Sequence, residues 1–210
     1  MAVIRKAILL AFLLLMISAG RAFADKQADF LKDLQTSSLS INTISSEFTQ
    51  QSHIALFADV MESKGKFCFT RPDNLRWEYT EPFVSGFLIK GQQGLKWDGA
   101  TKESTSFDTE TSPEMAIISE QILAWTTMNI PWLQSLYFIK VTNYAPAVME
   151  LTPKSSKTKQ FLSLIRIFFA PEATHLKSIE LHEPGGDYTK IIFDNVLLNQ
   201  KLAQETFLKK

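Results

Sequence analysis

From Ser45 to Asn199, run after run of the chain alternates apolar and polar residues with a period of two, and one stretch breaks the pattern. Such alternation gives a strand one buried and one solvated face, which restricts the fold to a mainly antiparallel sheet. The most telling run is "GKFCFTRPDNLRWEYTEP", Gly65 to Pro82. Its period sets Phe67, Phe69 and Arg71 on one face. After the turn at Pro72, Asp73 and Asn74 it sets Leu75, Trp77 and Tyr79 on one face, with Cys68 and Arg76 at the opposite parity. Large rings beside an arginine describe an apolar surface that holds and releases something better than they describe a sealed core.

Two long strands are expected in "SSEFTQQSHIALFA" and "VMESKGKFCFT", a third in "LRWEYTEP", and a hairpin in "GFLIKGQQGLKWDG" turning at Gly91 to Gly94. "ATKESTSFD", "LYFIKVTNY", "AVMELTPK", "FLSLIRIFFA", "HLKSIELHEP" and "YTKIIFDNVLLN" continue the series, with a turn at Gly185 and Gly186 free to take positive φ. The exception is Pro113 to Met128, where Met115, Ile118, Ile122 and Trp125 recur at helical spacing after a start at Thr111, Ser112 and Pro113, and Pro131 is expected to end the helix. A shorter amphipathic helix is expected over Asp25 to about Leu39, with Phe30, Leu31 and Leu34 on one face. Helices apolar on one side need an apolar surface to lie on, and the inner face of the sheet supplies it. The expected fold is mainly β with α: an incomplete, open antiparallel β-barrel whose α-helical lid encloses an apolar cavity.

The first 24 residues read as a secretory signal peptide: Arg5 and Lys6, an apolar run from Ala7 to Ile17, and Ala22-Phe23-Ala24 as the cleavage site. The expected product is a single domain over residues 25–210, exported, soluble, and beginning at Asp25 rather than at a cysteine that would carry a lipid anchor. Losing Arg5, Lys6 and Arg21 leaves 19 basic side chains against 22 acidic ones, a net of −3 that argues against nucleic acid as a partner. Cys68 stands alone, so the fold rests on its core rather than on an internal disulfide.

Catalytic signals are scarce. His53, His175 and His182 have no metal-ligand spacing, no nucleophile elbow or phosphate loop occurs, and Glu78, Glu81, Glu180 and Glu183 read as solvated strand charges. Neither an enzyme nor a cofactor is expected. The candidate cavity lining is Phe48, Phe67, Phe69, Leu75, Trp77 and Tyr79 from strands and Met115, Ile118, Ile122 and Trp125 from the helix, although the same side chains would serve a permanent core. Met115 and Met128 fit adaptable contacts or plain gap filling. Arg71 has two readings as well: a turn-capping or ion-pairing side chain, or a guanidinium that donates to carbonyls at a helix end and pins the lid. Arg76 is expected on the outer face.

"SSEFTQ", "GKFCFTRPDNLRWEYTEP", "LTPK" and "TKIIFDNVLLNQKLAQETF", in that order, resemble the LolA family, the periplasmic outer-membrane lipoprotein carriers. The resemblance implies an incomplete barrel with a helical lid over a cavity for acyl chains. It implies cargo received from an inner-membrane ABC transporter and passed to an outer-membrane acceptor lipoprotein, by a carrier that is most simply a monomer. It also implies that Arg71, the arginine of the family's R-P motif, bonds to the lid and gates the cavity. Family members usually continue past the last phenylalanine, whereas here Leu208, Lys209 and Lys210 alone follow Phe207. Two alternatives therefore accompany lipoprotein transport: delivery of another lipid, such as a glycolipid or phospholipid, and a lipoprotein-sensing module.

Overall fold

The computed structural model describes residues 25–56 and 59–208. The expected leader therefore lies outside the described residues. Among the described residues eleven strands form a single sheet, β1 Thr43–His53, β2 Met61–Thr70, β3 Asn74–Glu81, β4 Ser85–Lys90, β5 Gln93–Asp98, β6 Glu103–Asp108, β7 Tyr137–Tyr144, β8 Ala147–Pro153, β9 Leu164–Phe169, β10 Leu176–His182 and β11 Tyr188–Leu198. Their spatial order is β6-β5-β4-β3-β2-β1-β11-β10-β9-β8-β7. Two meanders thus meet where β1 pairs antiparallel with β11, and β6 and β7 are left as the edges of an open sheet. The expected strands are present. Of the two glycines at the β10–β11 turn, Gly186 takes positive φ, and Gly91 does so between β4 and β5.

One face of the sheet is buried and strongly curled. Phe67 pairs with Trp77 across β2 and β3, and Phe48 lies opposite Gly65. Gly65 carries no side chain because a Cβ there would stand 2.3 Å from the Phe48 ring. Trp77 and Phe193 lie three strands apart, about 14 Å in a flat sheet, yet their ring centroids are 6.3 Å apart. The same face carries Ile165, Ile167, Met149 and Leu151, all fully buried.

Three helices cover that face. The first, α1, runs over residues 25–38. The others, α2 Pro113–Thr126 and α3 Ile130–Leu136, join the edge strand β6 to the edge strand β7 and so cross the open side. Pro131 does not end the helical region as its position suggested. It sits in the first turn of α3, where a missing N–H costs nothing, and Asn129 caps the helix by accepting from Trp132 N. The break between α2 and α3 falls at Met128, which holds φ +47. The N-terminal part of α1 docks on β7 through Gln27, whose amide donates to Ile139 O and accepts from Val141 N, satisfying part of an otherwise open edge.

Candidate functional site: an apolar cavity and its latch

Arg71 ends the β2 strand face that carries Phe67 and Phe69, and its guanidinium reaches the end of α1. Nη2 donates to Ser38 O at 2.7 Å and Nε donates to Ile41 O at 2.6 Å. Ser38 is the last residue of α1, where the helix dipole is negative and favours a cation, and Ile41 lies in the turn just beyond it. Arg71 thus meets the end of α1 directly, and not the Pro113–Met128 helix. The second helix is reached through Ser38. Its buried hydroxyl lies 2.7 Å from both Gln35 O and Thr127 O, the latter just past the end of α2. Arg71, Ser38 and Thr127 therefore tie the sheet to α1 and α2.

Between these helices and the sheet lies a cavity of about 50 Å³, or about 730 Å³ of non-atom space when its mouth is included. Leu34 and Ser38 in the last turns of α1 with Ile41 just beyond it, and Ile122 and Trp125 in the last turns of α2 with Met128 just beyond it, form its cover. Ile44, Phe67, Trp77, Phe169, Ile179, Ile191 and Phe193 form the sheet wall. The lining is almost entirely apolar and contains no Lys, Arg, Asp or Glu. His175, at the loop before β10, is the one titratable side chain on the wall besides the hydroxyls, and burial, with Lys177 second, pushes its pKa down.

Of the side chains expected to line the cavity, Phe67, Trp77, Ile122 and Trp125 are on its wall, and Phe48, Phe69, Leu75, Tyr79, Met115 and Ile118 are not. The reasons are local. Phe69 and Leu75 face each other across β2 and β3 and are fully buried against their neighbours. Phe48 lies on Gly65 between Trp77 and Tyr79, with ring centroids at 4.4 and 5.4 Å, and Tyr79 donates its hydroxyl to Gln50. Met115 and Ile118 occupy the first half of α2, whereas the cavity meets its last turns. Sequence reasoning missed Ser38, Phe169, Ile179, Ile191 and Phe193. The last four lie on strands that the alternation predicted, but nothing in it showed that they share the face of Trp77.

The outer face carries charge pairs. Arg76 lies there, as its parity implied, but is buried beneath the C-terminal segment, bonded to Thr206 O and Leu208 O and paired with Glu78 at 2.9 Å. Glu81 lies 3.7 Å from Lys64, and Glu180 bonds His182 and Lys190. Burial raises the Cys68 thiol pKa. Among the described residues no three His, Cys, Asp or Glu side chains converge as metal ligands, and no helix is long and apolar enough to cross a membrane.

The family model described as "Outer membrane lipoprotein carrier protein LolA" matches residues 39–210. The chain is similar to the outer-membrane lipoprotein carrier protein of Idiomarina loihiensis, 20% identical over 202 residues that cover 94% of this chain and 91% of that one. Its likeness to the same-named protein of Cupriavidus taiwanensis is 25% identity over 183 residues, covering 83% and 80%. Among solved structures, an uncharacterized conserved protein from Thermus thermophilus shares the fold at a TM-score of 0.56 and 9% identity, over 88% of this chain and 94% of that one. The match over residues 39–210 spans the whole sheet and its covering helices α2 and α3, and the chain belongs to the LolA family.

Proposed function

We propose that this protein is a periplasmic carrier that shields the acyl chains of lipoproteins in the cavity beneath α1 and α2 and moves them from the inner to the outer membrane. The observation that carries the reading is an apolar cavity closed by helices that one arginine ties to the sheet. Family membership supports it. In this reading the donor is an inner-membrane ABC transporter, the acceptor is an outer-membrane lipoprotein, and the carrier works as a monomer without cofactor or catalytic step.

At about 50 Å³ the cavity is far below the roughly 300–1,000 Å³ of ordinary ligand pockets. Cargo entry thus requires α1 and α2 to move off the sheet. Each acyl CH₂ taken from water contributes about 0.8 kcal/mol, so a long chain gains on the order of 10 kcal/mol. A carrier that kept all of that gain could not let go. Breaking the Arg71 bonds, worth about 1.5–3 kcal/mol each for hydrogen bonds to a charged group, offsets part of it and keeps affinity moderate.

The test is mass spectrometry of what leaves the periplasm with the tagged protein, beside Arg71→Leu. Triacylated lipoprotein peptides, enriched in the variant and released about tenfold more slowly for each 1.4 kcal/mol of lost closure, are expected. Free glycolipid or phospholipid would instead make the protein a carrier of another lipid. Wild-type unloading rates in Arg71→Leu would remove the gating role.

A further inference from the structure

Two polar atoms in the cavity wall stand apart from their surroundings. Ser46 Oγ and Trp125 Nε1 are shut off from solvent and have no hydrogen-bond partner among the described residues. Both residues line the cavity, and each is 7% exposed. Folded proteins rarely keep buried donors unpaired, so two on the wall of one apolar space call for a common cause. Three neighbouring polar side chains of the lining are already engaged. Ser38 bonds backbone carbonyls, Thr126 donates to Ile122 O, and Thr174 pairs with His175.

The two atoms come from opposite walls. Trp125 belongs to the last turns of α2, and Ser46 belongs to β1. The β1–β11 ladder is irregular beside Ser46. Pairing of β1 with β11 slips between Ser45 and Glu47, and Asn195 on β11 takes φ +52 while its amide donates to Glu47 Oε2 at 2.7 Å. Asn195 and Val196 thus lie opposite the single Ser46, the extra residue belongs to β11, and Val196 joins the cavity wall. Ser46 itself keeps the inward parity of Ile44 and Phe48 and its pairing with Phe67, which sets its hydroxyl in an apolar wall that Ile44 and Phe67 also line.

We propose that Trp125 Nε1–H and Ser46 Oγ–H are the donors for an acceptor oxygen that enters the cavity with the hydrocarbon, namely the carbonyl of an ester- or amide-linked acyl chain. The inference rests on the carrier reading and narrows its cargo to acyl-linked lipids, in preference to ether-linked or purely hydrocarbon chains. An indole N–H only donates, so the ligand atom must accept, and a carbonyl oxygen has two lone pairs for two donors. An ionised group is disfavoured, because the wall offers no Lys or Arg to compensate a buried anion.

The probes are 1-monopalmitoylglycerol and 1-O-hexadecylglycerol, which share chain length and headgroup and differ in the carbonyl. Titrated into the lipid-free protein, the ester is expected to bind about three- to tenfold tighter than the ether. Trp125→Phe and Ser46→Ala should each shrink that preference, and the double variant should bind both lipids alike. The Trp125 indole N–H resonance, assigned by its loss in Trp125→Phe, should move on adding ester and stay on adding ether, a readout that needs no variant to bind lipid. Equal affinities in wild type with an unmoved indole resonance would overturn the proposal, leave the carrier reading intact, and assign the two donors to water. Failure of wild type to bind either lipid would overturn both.

Discussion

Ser38 works at two levels. Its carbonyl accepts from Arg71 and its hydroxyl reaches Thr127 O, so one buried residue joins the strand to α1 and α1 to α2. Ser38→Ala keeps the carbonyl and removes the link to α2. The expected cost is about 0.5–1.5 kcal/mol, with faster amide exchange in α1 and α2 and unchanged exchange in β1 and β11. Uniformly faster exchange would mean the residue serves global stability alone. His175 gives a pH signature. Burial lowers its pKa, so the folded state favours neutral imidazole, and below the ordinary value of 6.5 the unfolded chain takes up the proton first. Stability should therefore fall as pH drops through that value toward the lowered folded pKa and be fully present above it. Thermal melts of wild type and His175→Gln at about pH 7.5 and 5.5 check this, with a flatter profile expected for the variant.

At the level of elements, the covering helices depend on short-range details. The α2–α3 break combines a left-handed Met128 with the Asn129 cap. Asn129→Ala should cost about 1 kcal/mol, which lowers the melting temperature by about 2–4 °C for a chain of this size. A shift near zero would mean that packing of Ile130 and Leu133 alone fixes α3. The strands were legible because each buries one face, and two-residue alternation survives any choice of neighbour. α3 was not, since Pro131 closes a helix or opens one depending on the cap before it. The partner of Arg71 was equally hidden. It lies about thirty residues upstream in a helix whose own pattern gives no sign of where it docks.

For the whole molecule, the β1–β11 pairing decides the site. It brings Ile191 and Phe193 beside Phe67 and Trp77 and makes one inner face from two meanders separated by the covering helices. Alternation within single strands placed half of the wall but not this closure, which is why the candidate lining drew on the first meander and α2 alone. The six candidates that fall outside the cavity follow from the same gap. They share the sheet's apolar side or the helix, but the cavity occupies only the part beneath the ends of α1 and α2.

The claim that an acyl chain enters beneath these helices is tested most directly by quenching of tryptophan fluorescence with a bromine-labelled acyl lipid. Trp77 and Trp125 line the cavity, and Trp97 lies on the outer face beside Arg76. Quenching in wild type is expected to diminish in Trp77→Phe and in Trp125→Phe and to remain in Trp97→Phe. Quenching that survives the loss of both cavity tryptophans and disappears with Trp97 would place the lipid outside the cavity and contradict the carrier mechanism.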